Sequence, residues 1–182
     1  THGDHSPGAL ALAKQTGARL VGLNAPQAPG QDHSFVSDIE CADGDIIECR
    51  DTAGSYSLQM IHTPGHVSNH LCFLLREEGL LFTGDHVLQG TTPVILPPDG
   101  DMSDYLASLE RLLQLPLVAL APAHGDVMPA PFTEIEKLIA HRLKREAKIL
   151  ERLRLLSPCT DDELVVSAYD DVGEHRSEEH TV

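Results

Sequence analysis

Residues 1–5 read Thr1-His2-Gly3-Asp4-His5, and Gly65-His66, Gly84-Asp85-His86 and Ala123-His124-Gly125 follow in order, with His70 close behind the second cluster. Imidazoles and carboxylates separated by long hydrophobic stretches, converging only on folding, are what a two-metal hydrolytic centre needs. Such donors suit Zn, Mn or Fe and require no thiolate. His2, Asp4 and His5 fall within four residues and already form one tight group. A lone histidine is most often structural. Five of them, each beside Gly or Asp, point instead to metal-dependent hydrolysis.

Outward from these clusters, the apolar stretches between them read as strands and helices. Ser6-Pro7 suggests an N-cap and first helical position, with Gly17 as the stop, which predicts a helix over 7–16. Leu20–Leu23 reads as a short strand, and residues 24–35, rich in Pro, Gly, Gln and Asn, as a loop. Ala42-Asp43-Gly44-Asp45 is a turn between two strands, the second being Ile46–Cys49. Ser55–His62 alternates as a strand ending at Thr63-Pro64-Gly65. Leu71–Leu75 and Leu80–Thr83 flank Glu77-Glu78-Gly79 as a hairpin whose second strand delivers Gly84-Asp85-His86.

Pro97-Pro98-Asp99-Gly100-Asp101 reads as a rigid turn before a helix over 103–114, where Leu106, Leu109, Leu112 and Leu113 recur at helical spacing. Leu117–Leu120 is a strand ending at Pro122-Ala123-His124-Gly125. A long helix over 132–156 follows, Ser157-Pro158 breaks it, and Thr160 caps another over 161–169. Strands ending in metal-binding loops, alternating with helices, predict an α/β layered design.

The chain's 182 residues suit one domain, or one domain with a small appendage. A hydrophobic content of 41% supports a real core. There is no run of about 18 apolar residues, which argues against a membrane span. Cys41, Cys49, Cys72 and Cys159 lack C-x-x-C spacing and read as reduced thiols. A net charge of −15 argues against generic nucleic-acid binding. The charge is nonetheless segregated: seven of 13 basic residues lie between Lys137 and Arg154, while 161–182 hold eight acids and one Arg. That basic stripe reads first as the wet face of an amphipathic helix.

These clusters resemble the metallo-β-lactamase superfamily, whose motif is His-x-His-x-Asp-His. His2, Asp4 and His5 match its last three ligand positions, and Gly65-His66, Asp85 and His124 match the remaining ligands in order. Asp4-His5-Ser6-Pro7, the run Thr63 to His70, Gly84-Asp85-His86-Val87, Pro97 to Met102 and Ile139-Ala140-His141-Arg142 look like the lactamase-beta-like branch, which carries a C-terminal winged helix and includes an endoribonuclease. The resemblance implies an αββα sandwich over 1–156, incomplete at its N-terminus, and the opening of a winged-helix-like appendage over 157–182. It also implies that the first His of the motif would immediately precede Thr1.

Carried over by position, His2 and His66 would hold one metal, and Asp4, His5 and His124 the second, with Asp85 bridging. Two divalent ions are implied, Zn first, with Mn or Fe as alternatives. The His2–His66 position is expected to be depleted, since a third imidazole is absent from this chain. Asp4 and Asp85 carry the catalytic roles, Asp4 by holding water or passing its proton to the leaving group. The ions bring four positive charges, which the two carboxylates and a hydroxide offset by three, favouring an anionic or oxyanionic substrate. His70 and His86 are expected to contact a metal-bound imidazole or the substrate, with plain packing the alternative for each. His33, His62 and His141 read as solvated or packed.

The first functional reading is a hydrolase of small esters, thioesters or lactones. The second is a metal-dependent endoribonuclease, so RNA stands beside a small molecule as a partner. A third is an inactive fragment that only binds metal. The branch motifs point away from β-lactam hydrolysis. The protein is expected to be cytoplasmic and off the membrane. The superfamily places several strands before its first metal loop; without them, strands near 20–23 and 46–62 would present unpaired edges and apolar surface. Self-association covering that face, or a longer parent protein, is therefore expected.

Overall fold

In a computed structural model, which describes residues 1–50, 52 and 54–170, alternating apolar positions build one five-stranded sheet. Its strands are β3 (Ile46–Arg50), β4 (Ser55–His62), β5 (Leu71–Leu75), β6 (Leu80–Gly84) and β7 (Ala119–Pro122), adjacent in that order. The pairs β3–β4, β4–β5 and β5–β6 are antiparallel, and β6–β7 is parallel. Two short strands, β1 (Val21–Gly22) and β2 (Ile39–Glu40), pair in parallel as a separate ribbon.

Register decides which side chains share a face, because successive residues of a strand point to opposite sides. Ile61 lies opposite Cys72, and Leu74, Leu81 and Leu120 align across β5, β6 and β7; all five are buried. On the other face Ile47, Leu58, Leu75, Leu80 and Ala119 form one cross-strand row, and Met60, Phe73, Phe82 and Ala121 another. Most of those residues are half-buried, and Phe82 is 42% exposed.

Helix α1 (Ala9–Thr16) begins two residues later than Ser6-Pro7 suggests, because Ser6 is used elsewhere. Its hydroxyl donates to Asp32 Oδ2 at 2.8 Å, and Gly8 stands at the N-cap with no side-chain bond. Gly17 ends the helix in the left-handed conformation, as glycine does at this position. Helix α2 (Met102–Leu112) starts where Asp101 caps it by accepting from Asp104 N at 2.9 Å. Its buried Tyr105, Leu109 and Leu112 form the apolar stripe, and Ser108 and Arg111 bond to the carbonyls of Pro64 and His62. Arg111 also grips Asp43 at 2.7 Å. So α2 is tied to the segment that carries Gly65-His66.

The long helix α3 (Pro131–Leu156) and α4 (Asp161–Ala168) complete the described chain, with Thr160 and Glu163 forming a capping box at α4. The chain divides into two compact units, Thr1–Ile135 and Glu136–Val182, the division falling within α3. In the second unit Arg145 stacks 4.6 Å over the Tyr169 ring and donates to the carbonyl of Ala168. Lys148 and Arg152 both reach Asp170. Part of the basic stripe thus pairs within its own unit. Residues 171–182, the latter part of the expected winged-helix opening, lie outside the described residues. Among the described residues no helix is long and apolar enough to cross a membrane.

Candidate metal centre

Four loops bring the expected ligands to one edge of the first unit. The segment before α1 carries His2, Asp4 and His5; the β4–β5 loop carries His66; the end of β6 carries Asp85; the end of β7 carries His124. They fall into two donor groups: Asp4, His5, Asp85 and His124, and His2, His66 and Asp85. Within each group the facing donor atoms lie within 4.8 Å of one another. Asp85 belongs to both.

In the first group His5 Nε2 lies 2.7 Å from Asp85 Oδ2 and 3.4 Å from Asp4 Oδ1. His124 Nε2 lies 3.6 Å from Asp85 Oδ1 and 3.7 Å from Asp4 Oδ2. In the second, His66 Nε2 lies 3.3 Å from His2 Nδ1 and 3.9 Å from Asp85 Oδ2. Donors bound to one ion about 2.0–2.2 Å away face each other at such separations.

Two observations test the fit of a cation. Asp85 Oδ1 is buried and accepts no hydrogen bond; an orphaned carboxylate oxygen is costly unless something positive meets it. And His66 Nδ1 donates to the carbonyl of Val94 at 2.5 Å, leaving the lone pair on Nε2 facing His2 and Asp85. A ligating imidazole is held in this way through its far nitrogen. Burial, then the neighbouring His66 ring, lowers the pKa of His2 and keeps that imidazole neutral as well. Nitrogen and oxygen donors of this kind match Zn, Mn or Fe.

His70 and His86 join neither group. His70 Nδ1 bonds Thr63 Oγ1 at 2.8 Å, and its ring lines a cavity of about 340 Å³ that also touches His2, His5, His66 and Asp85. Val21, Leu23, Phe35, Leu71 and Phe73 line the same cavity, and among the described residues no Lys or Arg does. His86 does not line it. Its ring is fully buried, 4.8 Å from the Tyr105 ring and 5.5 Å from His70, so packing won where a cavity contact was expected. Burial pushes the pKa of His70 well below its usual value and that of His86 down to about 3. Both imidazoles are neutral.

Val94, Thr63 and Asp99 escaped the sequence reading. A backbone carbonyl leaves no residue-type signal, and Asp99 sits in a Pro-Pro-Asp-Gly stretch that reads as an ordinary turn.

Residues 1–124 match the family model described as the metallo-beta-lactamase superfamily. The chain belongs to the metallo-β-lactamase superfamily. It is 36% identical over 155 residues to thioesterase pkgB of Emericella nidulans, covering 85% of this chain and 41% of that protein. It is 31% identical over 150 residues to an atrochrysone carboxyl ACP thioesterase of the same organism, covering 82% and 44%. A beta-lactamase-like protein 2 homolog of Caenorhabditis elegans is 33% identical over 115 residues, covering 63% and 38%. The chain thus spans roughly two fifths of the length of these curated relatives. Among solved structures, a metallo-beta-lactamase family protein from Thermus thermophilus superposes with a TM-score of 0.58 at 30% identity, covering 72% of this chain and 43% of that one. TTHA1623 in a di-iron-bound form shares the fold, with a TM-score of 0.53 at 22% identity over 72% and 69% of the two chains.

Proposed function

We propose that this metallo-β-lactamase domain is a hydrolase of thioesters that works with two divalent metal ions, Zn first and Mn or Fe as alternatives. The observation that carries the reading is Asp85, shared by two groups of nitrogen and oxygen donors. The thioester is suggested by the two relatives named as thioesterases.

His2, His66 and Asp85 would hold one ion and Asp4, His5, His124 and Asp85 the other. Bound there, the ions would lower the pKa of a water to about 7 and polarise the carbonyl. Asp4, exposed beside His5 and His124, holds the attacking water and returns its proton to the departing thiolate. Val94 keeps the His66 ring in its ligating tautomer. The bond broken is carbonyl carbon to sulfur, and the bond formed is carbonyl carbon to oxygen.

Release of free thiol from short acyl-coenzyme A thioesters, with Zn, Mn or Fe added to metal-stripped protein, tests this. Expected is metal-dependent hydrolysis that barely responds to salt. The endoribonuclease reading requires instead cleavage of single-stranded RNA that falls steeply as salt rises. Among the described residues no Lys or Arg lines the cavity beside the ligands to meet a phosphodiester. Metal-dependent RNA cleavage without thioester turnover would overturn the proposal.

A further inference from the structure

We propose that Asp99 is a positioning residue for the His2–His66–Asp85 metal position, strapping the loop that carries His2 to the loop that carries His66. This rests on the reading above that the donor groups hold metal. Asp99 belongs to neither donor group; its two oxygens reach in different directions. Oδ1 accepts from the backbone N of Ser68 at 3.1 Å and from its hydroxyl at 2.5 Å. Ser68 stands two residues after His66, so this oxygen holds the β4–β5 loop.

Oδ2 accepts from Gln31 Nε2 at 3.0 Å. Gln31 is almost fully buried and bridges the backbone of His2, and its Oε1 accepts from the hydroxyl of Thr1 at 2.5 Å. Asn69 closes the ring by donating to Thr1 Oγ1 at 2.7 Å. The segment around Asp99 binds the His66 loop twice more, through the Val94 carbonyl on His66 Nδ1 and through Asp101 N on the carbonyl of Gly65. Its side-chain bonds end at Thr1, Gln31, Ser68 and Asn69, and His5 meets it through the backbone, His5 N donating to the carbonyl of His2 at 3.0 Å.

The geometry therefore assigns Asp99 a larger effect on the His2–His66 position, whose two loops it joins, than on the other. Without its carboxylate, Ser68 and Gln31 lose their shared acceptor, and the 3.3 Å separation of His2 Nδ1 and His66 Nε2 is no longer enforced. Outer partners of metal ligands typically change affinity by about 10–100-fold.

The test is calorimetric titration of the whole chain with Zn, comparing wild type, Asp99→Ala and Gln31→Ala. Expected is a loss of about 10–100-fold at one position, with the other unchanged within about twofold. Ser68→Ala, which removes only the hydroxyl bond to Oδ1 and keeps the backbone one, should show a smaller loss at the same position and serves if Asp99→Ala does not fold. Ring ¹H–¹⁵N spectra of the metal-free protein give a second readout: Asp99→Ala should shift His2 and His66 and leave His5 and His124 in place. Equal weakening of both positions, or unchanged His2 and His66 rings, would overturn the proposal. If wild type binds no metal, the metal reading fails by itself, and the ring spectra still decide the role of Asp99.

Discussion

Asp85 Oδ2 lies 2.7 Å from His5 Nε2, while Oδ1 of the same carboxylate accepts no hydrogen bond. One oxygen is held by the first donor group, and the other is buried without a hydrogen-bond partner at the junction of both. Loss of this side chain should therefore damage both positions together. Asp85→Ala is expected to abolish tight binding of either ion and to lower kcat/KM by more than about a hundredfold. His124→Ala should empty only the Asp4–His5 position. Metal analysis after dialysis separates the two; one full ion retained by Asp85→Ala would refute the bridging role.

The two positions are unequal in donor count. Two imidazoles and the shared carboxylate form one, and two imidazoles with two carboxylates form the other. Titration of this chain with Zn is expected to give one tight and one weak ion, differing by about tenfold or more, or roughly 1.4 kcal/mol. Two equally tight ions would mean that another group completes the His2–His66 position.

Gly65 sits at φ +136°, and a Cβ there would fall 2.3 Å from the Cα of Tyr105. The obstacle is helix backbone, which cannot swing aside. Gly65→Ala should cost on the order of 3 kcal/mol, lowering Tm by roughly 6–12 °C, and should displace His66. A variant that melts like wild type would show that α2 yields more easily than its bonds to Pro64 and His62 suggest.

Buried, neutral His86 makes the metal-free fold acid-sensitive. Its imidazole titrates near 6.5 when unfolded and at about 3 when folded. Between those values the unfolded chain binds the extra proton, so stability is full above 6.5 and falls as pH drops toward 3. At pH 4 the cost from His86 is about 3 kcal/mol, and His70, lowered by burial in the same way, adds to it. His86→Leu should flatten this limb in urea unfolding with chelator present. An unchanged pH profile would place the sensitivity elsewhere.

The apolar rows through Phe73 and Phe82 leave Phe82 42% exposed. Exposed apolar patches of this kind promote association. The sequence led to an expectation of self-association through the strands near 20–23 and 46–62; association through the Phe82 face should appear in sedimentation velocity of this 182-residue chain and weaken in Phe82→Lys. A wild type that stays monomeric at all concentrations contradicts it.

Much was legible in the chain because its signals are local. Strands β4, β5 and β6 follow from alternation and turn residues within a few positions, and Gly17 and Thr160 mark helix ends by their own backbone and side-chain chemistry. The resemblance of the clusters at His2, Asp4, His5, His66, Asp85 and His124 to the metallo-β-lactamase motif implied a ligand set before any geometry was known, since metal chemistry restricts the residue types that can serve. What required the tertiary structure depends on distance between remote segments. Only folding seals His86 against Tyr105 and keeps His70 at the cavity, although His86 stands next to Asp85 in sequence and His70 four residues after His66. Likewise Ser6 left its expected helix cap for Asp32, 26 residues away, and Asp99 joined two loops from a stretch that reads as a turn. A hydrogen bond is decided by angles and distances across the whole chain, and residue order alone does not contain them.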